Sequence, residues 1–389
     1  MNAGALRRKV LKLADAMLGQ TLCRLIALVS ARPEGAHLRP MGDIRRILVV
    51  RPGGLGDMIL LLPMLHELCE RWPRARIDIV CERRNRAVLD LAQLNLHPLQ
   101  YDASPLRFVR ALRTGGYDIV VDTEQFHCFS AIFAWIAHAP IRIGFKINPV
   151  RNPLYTHLVD YALDGYEGCE FQRLLNPLGI ETSPRPLSGL LPAGSGSPPA
   201  TSERAKSANP GPLALHIGAS DRHKQWPPER YRELLEKLAQ FHDGEILALS
   251  DPKQPCTARR IVQEAGLQNN PRIRPLPPQP LRNAADLLAR SRLFIGCDTG
   301  LAHLAIALGT PSVILFGPSD HRKWGVQQRL HRVVRRPMPC APCFIFGYRK
   351  PCRKPECMSE IDVETVLDEI RTLLDRTCPK TSETIEASP

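Results

Sequence analysis

Residues 45–68 read RRILVVRPGGLGDMILLLPMLHEL, and this stretch decides the fold. A short β-branched apolar run, 47–50, leads directly into a glycine-rich turn at 52–56. Apolar residues at helical spacing follow from Met58 onward. This order predicts a buried strand, a tight turn and a helix, with Asp57 at the N-terminus of the helix.

The turn and its acid can handle a charged ligand. We expect Gly53, Gly54 and Gly56 to supply positive φ angles and to let a ligand approach the backbone, while the first amides of the helix favour negative charge. An ordinary N-capping role for Asp57 is the alternative. The turn has neither the G-x-G-x-x-G spacing of dinucleotide-binding folds nor the G-K-[ST] ending of a P-loop, so it carries no signature of hydride transfer or of nucleotide triphosphate hydrolysis.

The composition is that of a globular protein with an anionic partner. A chain of 389 residues with 44% hydrophobic residues is long enough for two domains. Its formal net charge of +13 favours a nucleic acid, a phosphorylated glycan or an acidic membrane surface. The basic residues are scattered and only 6% of residues are aromatic, so we expect no nucleic-acid partner.

The N-terminal residues 5–29, ALRRKVLKLADAMLGQTLCRLIALV, combine basic and apolar positions at helical spacing. Lys12, Asp15 and Arg24 interrupt any signal-peptide core, and no stretch reaches the roughly 20 uncharged apolar residues of a spanning helix. Two interpretations remain: a helix lying in a membrane interface, and a helix packed on its own domain. Twelve cysteines without a secretory signal favour the cytoplasm.

Strand-like and helix-like segments alternate along both halves of the chain, as in parallel sheets covered by helices. The predicted strands are 47–50, 77–81, 119–122, 213–217, 245–249, 293–296 and 312–316. We therefore predict an α/β protein whose two Rossmann-like domains face each other across a cleft, with ligands at the carboxyl ends of the strands.

A segment rich in Pro, Ser and Gly separates the two halves and predicts a linker. The predicted organisation is an amphipathic extension at 1–42, an acceptor-side domain at 43–183, the linker at 184–212, a donor-side domain at 213–376 and a tail at 377–389.

Two motifs of the second half complement the first. In LALHIGASDRHKQWPPERYREL, residues 213–234, a strand is followed by a polar loop with Ser220 and Lys224, and a lysine there suits a diphosphate, although loop lysines are more often simply exposed. In FIGCDTGLAHLAIALGTPSVILFG, residues 294–317, we expect Asp298 and Thr299 to cap a helix whose free amides bind phosphate. A plain N-cap is the alternative for Asp298.

Taken together, GGLGDMIL, HKQWPPERY and DTGLAHLAIALGTPSVILFGPSD resemble the motifs of glycosyltransferase family 9, the ADP-heptose:lipopolysaccharide heptosyltransferases, and the likeness spans residues 45–370. The resemblance implies a GT-B fold and an inverting, metal-independent transfer of heptose from ADP-heptose to an anionic lipopolysaccharide core acceptor. It also implies work at the inner face of the inner membrane, with peripheral attachment.

The resemblance also assigns roles to individual residues. Asp57 corresponds to the catalytic base, within a substrate-binding turn that includes Gly53, Gly54 and Gly56. The donor-diphosphate contacts correspond to Ser220, Lys224, Asp298, Thr299, Gly300 and His303, where a buried structural histidine is the alternative for His303. Asp251 stands near the position of a ribose-binding acid, although the surrounding DPKQP differs from the family pattern.

Four cysteines, Cys340, Cys343, Cys352 and Cys357, form a C-x2-C-x8-C-x4-C array. Four soft ligands within eighteen residues suit a structural zinc or iron ion. Buried thiols and a disulfide are the alternatives. We expect no cofactor for the chemistry itself.

Other functions stay open at this point. Another two-domain sugar-nucleotide enzyme with a different donor, such as a hexosyltransferase or an epimerase, would have the same architecture. The acceptor could be a protein rather than lipopolysaccharide, and a member of the fold without catalytic activity is a further alternative.

Overall fold

The computed structural model describes residues 14–29, 43–181, 184–192, 211–346, 348–349 and 352–377. Two compact units share the chain, Met1–Leu187 (unit 1) and Ser188–Pro389 (unit 2). Residues 1–13 and 30–42 of the predicted extension, 193–210 of the predicted linker and 378–389 of the predicted tail lie outside the described residues.

Unit 1 is built on a parallel sheet of six strands in the order β3-β2-β1-β4-β5-β6. The strands are β1 (Arg46–Val50), β2 (Arg76–Cys81), β3 (Leu96–Gln100), β4 (Ile119–Asp122), β5 (Ile141–Lys146) and β6 (His157–Asp160). Its helices are α1 (Gln20–Val29), α2 (Leu55–Leu60), α3 (Leu62–Arg71), α4 (Arg86–Ala92), α5 (Pro105–Thr114), α6 (Cys128–Ile136) and α7 (Glu167–Arg173).

Unit 2 repeats this arrangement in the order β12-β11-β10-β7-β8-β9. The strands are β7 (Leu213–Ile217), β8 (Ile246–Ser250), β9 (Ile273–Leu276), β10 (Leu293–Cys297), β11 (Ser312–Phe316) and β12 (His331–Arg335). The helices are α8 (Pro228–Phe241), α9 (Thr257–Glu264), α10 (Leu281–Arg290), α11 (Gly300–Ala307), α12 (His321–Trp324), α13 (Glu356–Ser359) and α14 (Val363–Thr377). A small antiparallel pair, β13 (Phe344–Ile345) with β14 (Tyr348–Arg349), carries the cysteine region.

The central strands are apolar because helices cover both faces of each sheet. All five residues of β7, of β10 and of β11 are buried, as are the last four residues of β1. Continuous apolar runs of this kind are typical of parallel sheets buried on both sides. The predicted α/β class with two Rossmann-like domains is thus confirmed.

In each sheet the strand order reverses at the centre. The chain builds outward in one direction from β1 and from β7, then crosses back and continues from β4 and from β10 on the other side. The loops that leave neighbouring strands at this reversal run in opposite directions and open a crevice at the carboxyl end of the sheet, where α/β proteins bind ligands.

The N-terminal helix packs on unit 1 through one of its faces. A π-helical turn, Asp15–Gly19, precedes α1, and the Asp15 carboxylate accepts hydrogen bonds from the amides of Cys128 (3.1 Å) and Phe129 (2.7 Å). Asp15 thereby caps the start of α6, and Cys23 is buried against the same helix. This matches the predicted packing on its own domain, and the opposite face of α1 is exposed. Among the described helices, none is both long and apolar enough to cross a bilayer.

Candidate functional site

The reversal of the unit 1 sheet brings the glycine-rich turn beside the end of β4. Arg51 directly follows β1 and is only 3% exposed. Its guanidinium lies 3.2 Å from the Asp57 carboxylate and 3.5 Å from that of Glu124, and it donates to the carbonyl of Thr123 (2.9 Å). A buried arginine therefore links the turn to β4.

Asp57 is the third residue of α2 rather than its N-cap, which is Gly54. The carboxylate accepts a hydrogen bond from the Gly54 amide at 3.1 Å, so Asp57 supplies the returning half of a capping box. Its side chain nevertheless keeps 28% of its surface exposed. A carboxylate held at two points and still open to a substrate is suited to accept a proton.

The positive φ angles predicted for the glycines of this turn are wrong. None of Gly53, Gly54 and Gly56 has a positive φ. A Cβ on Gly54 would instead lie 3.0 Å from an Asp57 carboxylate oxygen, and one on Gly53 would lie 3.1 Å from Arg51 Nε. Gly53 and Gly54 are small so that protein side chains can fold back over the turn.

Sequence reasoning missed Arg51 and its surroundings. The Asn85 side chain donates to the carbonyls of Arg51 (3.3 Å) and Gly53 (3.0 Å), and the Phe171 ring lies 5.0 Å from the guanidinium. Burial alone would lower the pKa of Arg51, but the carboxylates around it, with Asp57 the strongest, raise the pKa on balance. The only sequence signal for this role was the position of Arg51 between strand and turn.

In unit 2 the reversal joins the two predicted donor motifs. The loop after β7 forms a 3-10 turn, Arg222–Lys224, and the Lys224 ammonium lies 2.7 Å from the Asp298 carboxylate at the end of β10. His303 Nε2 lies 3.7 Å from the other oxygen of Asp298. Lys224 precedes Asp298 by 74 residues and His303 by 79, yet the three side chains form one cluster at the carboxyl end of the sheet.

The charge state of Asp298 follows from that cluster. The side chain is 7% exposed, and burial alone would raise its pKa. The Lys224 ammonium, followed by His303, outweighs burial and lowers the pKa below its usual value. Asp298 is therefore a carboxylate that fixes a cation in place.

Thr299, not Asp298, is the N-cap residue of α11, and its side chain makes no capping hydrogen bond. The prediction that Asp298 and Thr299 both cap this helix is thus wrong for Asp298, because its carboxylate is committed to Lys224. The buried Thr299 hydroxyl has no hydrogen-bond partner among the described residues. Gly300 opens the helix, so this hydroxyl and the first amides remain available to an anion.

Ser220 and Asp251 lie on the loops that follow β7 and β8. Ser220 is exposed, and its carbonyl accepts a hydrogen bond from the Lys253 ammonium. The Asp251 carboxylate accepts from the amide of Lys253 at 2.8 Å, which closes its own turn. Lys253, which sequence reasoning did not select, therefore ties the two predicted residues together.

All four cysteines of the array line one cavity of about 40 Å³, together with His223. None of the four is in a disulfide, and burial, followed by the neighbouring thiols, raises the pKa of Cys357 to about 11. The donor set therefore suits a thiophilic ion. As the side chains stand, however, no group of three or more His, Cys, Asp or Glu in the described part of the chain is arranged to hold a metal.

Comparisons with known proteins agree with the motifs. The model of glycosyltransferase family 9 (heptosyltransferase) matches residues 185–353. Lipopolysaccharide heptosyltransferase 1 of Pseudomonas aeruginosa is 25% identical over 362 residues, covering 85% of this chain and 98% of the relative. Lipopolysaccharide heptosyltransferase 2 of Escherichia coli K12 is also 25% identical, with the same coverage of each chain. The chain is thus similar to the heptosyltransferases of glycosyltransferase family 9 over most of its length.

Solved structures show the fold of this chain. The E. coli ADP-heptose LPS heptosyltransferase II has a TM-score of 0.68 at 21% identity, covering 85% of this chain and 99% of that one. E. coli heptosyltransferase WaaC with ADP-2-deoxy-2-fluoro heptose has a TM-score of 0.61 at 20% identity, covering 84% and 99%. The dodecameric, iron-containing glycosyltransferase TibC has a TM-score of 0.56 at 16% identity, covering 87% and 77%. The two Rossmann-like domains are those of the GT-B fold.

Replacing Lys224 with Met should leave the buried Asp298 carboxylate without its ammonium partner. We expect the free energy of unfolding at pH 7 to fall by about 3–5 kcal/mol, as when one partner of a buried pair is removed. In the variant, burial would dominate and raise the pKa of Asp298 in the folded state. The loss of stability should therefore shrink as the pH falls through that pKa, because the carboxyl group becomes neutral. In the wild type, by contrast, the ion pair weakens in acid.

Urea unfolding at several pH values measures this effect. Lys146→Met is the matched control, because its pair with Asp160 spans 3.8 Å and both side chains are exposed. The double variant Lys224→Met/Asp298→Asn should recover much of the loss. A cost for Lys224→Met no larger than that of the control would contradict the structural importance of the pair.

Proposed function

We propose that this protein transfers heptose from ADP-heptose to a lipopolysaccharide core acceptor. The observation that carries the proposal is the cluster at the reversal of the unit 2 sheet, where the Lys224 ammonium and the free start of α11 meet. A cation beside unsatisfied helix amides is suited to a diphosphate. The structure of E. coli heptosyltransferase WaaC with ADP-2-deoxy-2-fluoro heptose supports a donor of this class.

The proposed reaction is a direct displacement at the anomeric carbon of the donor. Asp57 takes the proton of the acceptor hydroxyl as its oxygen bonds to that carbon, and the bond from carbon to the diphosphate breaks with its electrons leaving on ADP. Attack opposite the leaving group inverts the anomeric centre. Arg51 holds the Asp57 carboxylate toward the acceptor by the 3.2 Å ion pair.

The leaving diphosphate gains charge, and Lys224, Thr299 and the first amides of α11 are placed to stabilise it. Ser220 and His303 belong to the same proposed site, and Asp251 is proposed for the ribose. Because the lysine and the amides supply the positive charge, we propose chemistry that needs no divalent ion.

Incubation of the purified protein with a panel of ADP-sugars and other nucleotide sugars, with and without lipopolysaccharide core acceptors, tests the proposal. We expect acceptor-dependent release of ADP from ADP-heptose alone. Release from another nucleotide sugar would favour a different donor. Transfer to a protein would show that the acceptor is not lipopolysaccharide. No release from any donor would favour a member of the fold without catalytic activity.

Asp57→Asn should reduce turnover by about 100-fold to 10,000-fold, because the amide cannot accept the proton, while the affinity for ADP-heptose changes little. Steady-state kinetics together with donor-binding calorimetry separate the two effects. Asp43→Asn, an exposed aspartate outside the turn, is the control and should behave as wild type. Near-normal turnover in Asp57→Asn would remove Asp57 from the role of base.

We further propose that α1 attaches the protein to the cytoplasmic face of the inner membrane. The exposed face of α1 and of the π-helical turn before it is apolar. It comprises Met17, Leu18, Leu22, Leu25, Leu28 and Val29. Leu25 is 54% exposed and Leu28 is 83% exposed. The sequence places Arg7, Arg8, Lys9, Lys12 and Arg24 in and before this helix, and basic groups beside an apolar stripe favour an anionic bilayer.

The double variant Leu22→Glu/Leu25→Glu should abolish salt-sensitive flotation with vesicles of anionic phospholipid, because it puts like charges where the helix meets the lipid. Leu106→Glu, at an 86% exposed leucine of α5, is the matched control and should float as wild type does. Activity on a soluble acceptor should persist in both. Equal flotation of the three proteins would overturn the membrane role of α1.

We also propose a structural zinc or iron ion at Cys340, Cys343, Cys352 and Cys357. The support is that these four thiols share one cavity, and that TibC, which has a similar fold, is an iron-containing glycosyltransferase. When bound, the ion would be coordinated by the four thiolates and would hold residues 340–357 together, with no part in the transfer chemistry.

Protein purified without chelator should contain about one metal ion per chain, and chelation should lower the melting temperature. Cys343→Ser/Cys357→Ser should lose the metal, whereas Cys256→Ser, an exposed cysteine elsewhere in unit 2, should keep it. Metal analysis that finds no zinc or iron in the wild type would favour plain buried thiols.

A further inference from the structure

The cysteine hairpin, residues 340–357, of which all but 347, 350 and 351 are described, contacts the proposed donor site directly. The Lys224 ammonium lies 4.7 Å from the centre of the Phe344 ring. It is also the ammonium that is paired with Asp298 at 2.7 Å. Lys224 therefore has a carboxylate and an aromatic ring as neighbours, and the ring belongs to the hairpin.

His223, the residue before Lys224, makes a second connection. Its ring is 2% exposed, and Nε2 donates to the carbonyl of Cys352 at 3.1 Å. On the other side the His223 amide donates to the Asp221 carboxylate at 2.9 Å. The turn that carries Lys224 is thus tied to the hairpin through the His223 side chain as well as through the Lys224 ammonium.

The hairpin itself is fixed to the sheet. The amides of Cys343 and Phe344 both donate to the carbonyl of Pro318, each at 2.9 Å, just beyond the end of β11. At Gly317 an added Cβ would lie 3.1 Å from the sulfur of Cys357, so the sheet and the cysteines are in close contact. Because β11 is the neighbour of β10, this attachment sets the hairpin beside Asp298.

A second aromatic residue of the hairpin repeats the contact with a lysine. The Lys323 ammonium lies 5.3 Å from the centre of the Phe346 ring, and Lys323 is only 2% exposed. Between the two rings, Ile345 points away and is 45% exposed. The alternation directs both phenylalanines toward lysines and leaves the intervening side chain in solvent.

We propose that the cysteine hairpin is a wall of the donor-diphosphate site and that Phe344 is a positioning residue for Lys224. This inference rests on the proposed donor role of Lys224. A lysine ammonium on a four-carbon stem has many conformations, and the face of an aromatic ring attracts it and narrows that range. The Phe344 ring and the Asp298 carboxylate together hold the charge where a diphosphate can meet it, and the cysteines hold the ring.

ADP titration by calorimetry, with the full-length protein, tests the proposal. Phe344→Leu, which keeps an apolar side chain but loses the ring, should weaken ADP binding about 3- to 10-fold, as expected for a partly buried cation–π contact. Phe344→Tyr should restore affinity because it restores the ring. Ile345→Ala, on the same strand with its side chain in solvent, should bind as wild type does.

A double-mutant cycle shows whether Phe344 acts through Lys224. Lys224→Gln should weaken ADP binding strongly, and adding Phe344→Leu to it should weaken binding no further. An equal further loss in that background, or unchanged affinity in Phe344→Leu alone, would overturn the positioning role. If Lys224→Gln itself binds ADP normally, the proposed donor site fails, whatever Phe344 does.

Discussion

The reversal of strand order at the centre of each sheet is the constraint on which the site depends. At this point the loops that follow two neighbouring parallel strands run in opposite directions. The crevice between them, at the carboxyl ends of the strands, therefore stays open. The sequence fills both crevices with charged side chains, Arg51 and Asp57 in unit 1 and Lys224 and Asp298 in unit 2. Without the reversal, residues as distant in sequence as Lys224 and Asp298 would not meet.

The two ion pairs use similar chemistry for different ends. In unit 1 the cation is buried and the acid is 28% exposed, so the arginine holds a carboxylate that a substrate can reach. In unit 2 the acid is 7% exposed and the lysine 16% exposed, so the carboxylate holds a cation near the surface. In the proposed reaction, the more accessible partner in unit 1 is the carboxylate, which takes a proton, and in unit 2 it is the ammonium, which binds a phosphate. Exposure identifies the accessible partner of each pair.

Much of this fold can be predicted from the sequence, and the failures have physical causes. The strands Ile119–Asp122, Leu213–Ile217 and Ser312–Phe316 are where their apolar runs predict them, because central parallel strands are buried on both faces. The strands Leu96–Gln100 and Ile273–Leu276 were not predicted. Each contains a proline, which breaks the pattern but is tolerated because both are edge strands with one side unpaired.

The candidate site also contains residues that the sequence predicts and residues that it does not. Local motifs select Asp57, Lys224, Asp298 and His303, because each follows a recognisable strand and turn. Phe344 and Glu124 carry no local signal, since their roles come from contacts with residues far along the chain. The positive φ expected for the turn glycines failed for a related reason, because the need for glycine arises from the folded-back side chains of Arg51 and Asp57.

The cap that Asp15 provides for α6 has a consequence for the order of synthesis. The carboxylate and the Cys128 amide that it binds are 113 residues apart, and the carboxylate leaves the ribosome first. Domains fold as units from the N-terminus during translation. The N-terminal helix must therefore wait for most of unit 1 before its polar anchor finds a partner and before Cys23 can be buried against α6.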